Sequence, residues 1–173
     1  TELGLNWTLD GHVFKLARYD NKVSNLIVGG AAFPENIDRA RMKGWSLGYS
    51  KSLDTWQFAA SYDYLDARDS LGERITRRMP KQQATASVDK TWGAWKLGAN
   101  ALYVGKRTDS VWGVGNVDMK SYITVDTYAE YQFAKDWSLQ ARVANLTDKQ
   151  YETAYGYNQR GRAGYLTLKW SPR

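Results

Sequence analysis

Few side chains in this 173-residue chain sit where they could do chemistry on a bound molecule. Tyr155 and Tyr157 lie in a polar, aromatic-rich stretch, and each offers a ring face for packing and a hydroxyl for hydrogen bonding. The pair Arg77-Arg78 offers guanidinium groups that donate to amides or phosphates. Trp112, in a Gly-rich stretch, is a large aromatic available for contact. Each has a plainer reading: interface or loop-packing tyrosines, solvated loop charges, an aromatic at a loop tip.

Catalytic constellations are absent. There is no cysteine, which excludes disulfides and thiolate metal sites, and the lone His12 has no second histidine to share a metal with. Asp63, Asp66, Asp69 and Glu73 lack the glycine and the spacing of a calcium loop, so a solvated loop is expected there. Asp126 and Glu130 stand four residues apart on one strand face, roughly 13 Å, rather than across a cleft. Lumen hydration and ion pairing with Arg142 are the expected roles. No nucleophile–base set or phosphate loop occurs, so the chain reads as no enzyme and no cofactor is expected. The formal charge of +6 is spread over single lysines and arginines, with no basic run longer than Arg77-Arg78, and gives no nucleic-acid footprint.

Two bulk properties pull in opposite directions. Mean hydropathy is −0.60, and no apolar run is long enough for a membrane-spanning helix. Yet aromatics make up 14% of the chain, with 8 Trp and 12 Tyr. A β-barrel in a membrane reconciles them. Alternate residues face lipid, the rest face water, and Trp and Tyr gather at the two interfaces.

Period-two alternation supports that reading along the whole chain. Leu3, Leu5, Trp7 and Leu9 share one face of a first strand, and Asp10-Gly11 is a hairpin signal. A second strand is expected over His12 to Tyr19. A loop follows from about Asp20 to Asp38, holding Gly29-Gly30, with Val23 to Val28 able to prolong the strand above a membrane. The third strand is expected from Arg39 to Ser52. The fourth puts Trp56, Phe58, Ala60 and Tyr62 on one face, and a charged loop spans Ala67 to Arg78. Strands five and six carry Ala84, Ala86 and Val88, then Trp95, Leu97 and Tyr103. A Gly-rich loop is expected from Lys106 to Lys120. Strand seven sets Ile123, Val125 and Ala129 against Asp126, Tyr128 and Glu130. Strand eight carries Trp137, Leu139 and Val143, and the last strand Leu166, Leu168 and Trp170.

The polar faces carry Asp63, Asp89, Asp126, Glu130, Arg142 and Lys169 in mid-strand, which a wet lumen hydrates and a dry core would not. Short turns at Asp10-Gly11, Leu53-Asp54, Trp92-Gly93 and Lys135-Asp136 alternate with long loops near Gly30, Ser70, Gly113 and Tyr155. That asymmetry is the outer-membrane pattern of periplasmic turns and extracellular loops. The expected fold is therefore all-β, an antiparallel transmembrane β-barrel. The strand count is about nine, and single-chain bacterial barrels use even numbers. Residues 1–173 are accordingly expected to form one barrel segment, the C-terminal part of a larger barrel. A chain that closed on itself would need a further strand, such as Val23 to Val28.

One stretch is more specific than the alternation. Ala144-Asn145-Leu146-Thr147-Asp148-Lys149-Gln150-Tyr151-Glu152, followed by Tyr155-Gly156-Tyr157 and Gly161-Arg162, resembles the end of TonB-dependent outer-membrane transporters. Tyr19 to Ile27, Asn36 to Gly44, Ser61 to Arg68 and Arg77-Arg78 with Lys81-Gln82-Gln83 resemble further motifs of that family, in the same order and most like its cobalamin (vitamin B12) receptor branch. The chain departs from the pattern at Ser46, at Thr147 and after Trp170. The resemblance implies a bacterial outer-membrane location and uptake of cobalamin or a similar scarce nutrient, energised through TonB. The alternatives are a ferric-siderophore receptor of the same family, or a self-closed small barrel acting as a structural module or passive pore. It implies a cobalamin or siderophore-like ligand, lipid around the wall, and contact with the TonB complex through a plug domain that, like the TonB box, is expected outside this chain. It also implies that Tyr157 and one of Arg77 and Arg78 face the ligand, with Tyr155 a further candidate in the same loop. Trp112 is a candidate ligand or phage contact.

Overall fold

The computed structural model describes residues 1–28, 33–75 and 77–172. The expected loop at Gly29-Gly30 lies outside the described residues. The strands are β1 (Glu2–Leu9), β2 (His12–Val28), β3 (Glu35–Leu53), β4 (Trp56–Asp69), β5 (Gln82–Trp92), β6 (Trp95–Val104), β7 (Arg107–Val111), β8 (Gly115–Met119), β9 (Tyr122–Ala134), β10 (Trp137–Ala144) and β11 (Ala163–Trp170). Nine of them form one antiparallel sheet in the order β1-β2-β3-β4-β5-β6-β9-β10-β11, while β7 and β8 pair only with each other. β1 and β11 are the two edges of the large sheet, so the barrel is open and the self-closed alternative does not form.

The register sorts the side chains into two faces. Trp7, Phe14, Tyr49, Ala60, Ala86, Ala101 and Val125 follow one another across seven strands on the apolar face. On the other face Gln57, Asp89, Gly98, Tyr128 and Arg142 make an equally continuous polar row. The short turns sit where the alternation stops. At Asp10-Gly11 both residues have positive φ, 48° and 74°, the backbone of a two-residue turn that matches strand twist. Polar side chains pair across the wall: Arg142 with Asp126, and Lys169 with Glu130. The expected Arg142 partnership thus holds for Asp126, whereas Glu130 turns to Lys169, Ser138 and Gln140 on neighbouring strands. Gly98 has no side chain because the Tyr128 ring, donating its hydroxyl to Asp89, lies where a β-carbon would be.

Two expected loops are largely strand, and a third is shortened. β2 runs on to Val28 and β3 starts at Glu35, so most of the stretch Asp20 to Asp38 is a long hairpin arm rather than a loop. Val23 to Val28 is the end of β2 and adds no separate strand. β4 continues to Asp69, which shortens the expected charged loop. The Gly-rich stretch 106–120 folds as the β7–β8 hairpin.

A change of phase explains the first of these. Below Gly44, apolar side chains point away from the lumen. Above it, Val23, Ala40, Met42, Leu65 and Ala67 form an apolar cluster on the lumen side, capped by Ile75 and Met79 of the β4–β5 connection. Ala40, Ala67 and Ile75 are buried there.

Candidate functional site

The long connections gather at one end of the sheet. The β4–β5 connection folds inward because Ile75 packs on Ala40 and Ala67 and its amide donates to the Ala67 carbonyl at 2.8 Å. This turns Arg77 and Arg78 towards the β7–β8 hairpin. Arg77 forms a bridge to Thr108, and the Arg78 amide donates to the Thr108 carbonyl at 2.8 Å. Arg78 adopts φ +54°, a strained backbone held by these contacts.

Asp109, 4% exposed, is the centre of the cluster. Its Oδ1 accepts from Arg78 Nε at 2.9 Å and from its neighbour Ser110 N at 2.9 Å. Its Oδ2 accepts from the Tyr155 amide at 2.9 Å. One carboxylate therefore ties the β4–β5 connection, the hairpin and the β10–β11 loop together. Burial alone would push this carboxyl up, but the Arg78 guanidinium and the Tyr155 and Ser110 amides outweigh it and hold it below the ordinary 3.8. Arg107, 6% exposed, makes a second tie: its Nη2 donates to the Glu152 carbonyl at 2.5 Å, and its guanidinium lies over the Tyr122 ring at 5.5 Å. Tyr122 in turn packs on Tyr151, ring centroids 4.4 Å apart.

The β10–β11 loop is tied at its base. Asn145, 4% exposed, donates from Nδ2 to the Lys149 carbonyl at 3.0 Å and accepts the Lys149 amide on Oδ1 at 2.9 Å. Asp148 Oδ1 accepts the Arg162 amide at 2.7 Å, and a β-carbon at Gly161 would meet that same oxygen. The motif Asn145…Asp148…Gly161-Arg162 thus closes a loop. At its tip the Glu152 carboxylate accepts the Gly156 amide at 3.2 Å.

The structure brings Tyr155, Arg78 and Arg77 to one cluster. Tyr157 stands on the same loop tip, 70% exposed. Trp112 stands at the hairpin tip between β7 and β8, 76% exposed. A cleft of about 360 Å³ lies between the foot of β8 and the last loop, and Tyr122, Tyr151, Glu152, Tyr155 and Asn158 line it. Its size is at the lower end of small-molecule sites. Sequence reasoning missed Asp109 and Arg107, whose partners come from connections far away in the chain. Of the acidic set expected in a solvated loop, Asp63, Asp66 and Asp69 instead belong to β4: Asp63 accepts from Ser46 Oγ, Asp66 pairs with Arg68 and Arg74, and Asp69 accepts the Leu71 and Glu73 amides. His12 shares a hydrogen bond with Tyr49 at 3.0 Å.

An open antiparallel sheet with one apolar face, short turns at one end and tied loops at the other defines a length of outer-membrane barrel wall. The sequence profile of the family described as "TonB dependent receptor-like, beta-barrel" matches residues 1–146, and the chain belongs to that family, one of outer-membrane receptors and transporters. It is 32% identical over 174 aligned residues to the vitamin B12 transporter BtuB of Vibrio cholerae, covering 95% of this chain and 27% of that protein. The BtuB of Photobacterium profundum is 29% identical, with 96% and 27% covered. The chain therefore spans about a quarter of the length of these relatives. Among solved structures, the siderophore receptor PiuA of Acinetobacter baumannii superposes with a TM-score of 0.78 at 25% identity, over 98% of this chain and 28% of that one. The Pseudomonas aeruginosa receptor FpvA bound to pyoverdine gives 0.81 at 22% identity, over 98% and 29%, which shows the same fold.

Proposed function

We propose that this chain is barrel wall and ligand-facing mouth of a receptor that takes up cobalamin, passage being gated by a plug domain outside this chain and energised through TonB. The observation that supports the ligand is the 32% identity to a vitamin B12 transporter across 95% of the chain. The mouth geometry is compatible with it. Tyr155 and Tyr157 present ring faces and hydroxyls suited to a flat macrocycle with peripheral amides, and Arg78 is fixed beside them through Asp109. Catalysis has no part in this reading. A ferric siderophore is the second reading, favoured by the superposition on PiuA.

The test is equilibrium binding to the full-length receptor carrying this chain, with cyanocobalamin and a ferric siderophore in parallel. Cyanocobalamin binding is expected, and Tyr157→Ala weakens it about tenfold, the loss of one aromatic contact of about 1.4 kcal/mol. Binding of the siderophore alone would replace the first reading with the second. Unchanged cobalamin affinity in Tyr157→Ala would remove that residue from the site.

A further inference from the structure

The outer face of β2, β3 and β4 changes character in steps along the strands. Leu16, Leu47 and Tyr62 stand side by side as the last wholly apolar row. The next row is Arg18, Trp45 and Tyr64, an interface row in which the Arg18 guanidinium lies 5.1 Å from the Trp45 ring centre and Lys81 Nζ lies 5.1 Å from that of Tyr64. Above it Asp20, Lys43 and Asp66 alternate in sign. Above that, Lys22, Arg41 and Arg68 are direct cross-strand neighbours, three cations in one row, and Arg39 follows on β3.

Like charges directly opposed on adjacent strands repel. Asp20 engages Arg41 at 2.5 Å and Asp66 engages Arg68 at 2.9 Å, each from the row below. Six cations of β2, β3 and β4 (Arg18, Lys22, Arg39, Arg41, Lys43, Arg68) thus share this face with two carboxylates of those strands, and Arg74, which also pairs with Asp66, and Lys81 adjoin it. The side chains of the upper row are exposed. From Trp45 to Arg41 is about 13 Å along the strand, or about 10 Å along the membrane normal at a tilt near 40°. That height is a few ångströms above a polar layer about 5–7 Å deep per leaflet, and long Lys and Arg side chains reach back down into it.

We propose that this face binds the phosphate groups of an outer-leaflet lipid headgroup, with Lys22, Arg39, Arg41 and Arg68 as donors and Trp45 and Tyr64 against the top of its acyl chains. The charge is complementary, and the site continues the lipid-facing band without a break in register. A phosphate across the row offsets the repulsion that two aspartates only partly relieve, and arginine forks suit its oxygens. The mouth around Asp109 has no part in the proposal, which stands whichever ligand the receptor carries.

The experiment uses the full-length receptor in detergent, titrated with diphosphoryl lipid A and read by native mass spectrometry as lipid copies retained. Lys22→Glu with Arg39→Glu is expected to weaken retention about thirtyfold or more, the loss of two basic residues at an anionic surface. The charge-matched control Lys15→Glu with Lys135→Glu, on the lumen face and at a periplasmic turn, retains the lipid as the parent does. Raising salt from about 0.05 M to about 0.5 M weakens retention in the parent. Should the double reversal fail to fold, Lys22→Gln with Arg39→Gln gives the same ordering at smaller size. Equal retention by the variant and the control, equal retention of dephosphorylated lipid A, or displacement by millimolar inorganic phosphate would overturn the proposal.

Discussion

Asp109 shows what a single buried carboxylate does when three connections need one partner. It receives Arg78, Ser110 and Tyr155 while itself 4% exposed. Hydrogen bonds to a charged acceptor contribute about 1.5–3 kcal/mol each, so losing the charge loosens the whole junction. Its carboxyl titrates below the ordinary 3.8. A depressed folded-state pKa means stabilisation that is complete above the unfolded-state value and is lost as pH falls through the folded one. Exchange protection of the Tyr155 amide in the full-length receptor is therefore expected to be constant from neutral pH to about pH 4, once the intrinsic pH dependence of exchange is removed, and to fall only below it. Asp109→Asn should remove that acid transition and speed exchange about tenfold or more at neutral pH. A transition that survived in the variant would assign it to another group.

At the scale of elements, the β4–β5 connection is positioned by the inward apolar cluster as well as by the Arg78 tie to Asp109. Ile75 is buried against Ala40 and Ala67. Ile75→Ala removes that anchor at a cost of about 2 kcal/mol, which is about a thirtyfold rise in the open population. Limited trypsin digestion after Arg74, Arg77 and Arg78 should accelerate by that factor. An unchanged cleavage rate would mean the Asp109 junction alone holds the connection. The same cluster accounts for what the sequence concealed. In the wall, apolar residues alternate outward, and strands such as β1, β4, β6 and β10 are legible from that pattern. Above the wall the phase inverts at Gly44, with Val23, Ala40 and Met42 inward and Lys22, Arg41 and Lys43 outward. A single-phase reading meets this inversion as a break and ends the strand. β7 and β8 are hidden for another reason: five residues each are too few for a period, and Gly113 between them and Gly115 at the start of β8 read as loop. Tyr155 and Arg78 were legible by residue type. Asp109 was not, because an aspartate in a Gly-rich stretch looks the same whether solvated or shared by three connections.

For the molecule as a whole, the nine-strand sheet sets one lipid face and one lumen face across its full width. Cysteines placed at Phe58, Leu97 and Leu139 in the full-length receptor in bilayers should react slowly with a water-soluble maleimide, and those at Gln57 and Thr85 readily. The opposite order would exchange the two faces. The knot at the foot of the last loop has a wider consequence. Asn145 and Asp148 fasten the chain at Lys149 and again at Arg162, so the strands on either side keep their register whatever lies between. Residues 150–159 then answer to a separate set of ties, those of Asp109 to Tyr155 and of Arg107 to Glu152. A change of sequence there is therefore expected to reshape the loop surface while leaving the pairing of β10 and β11 as it is.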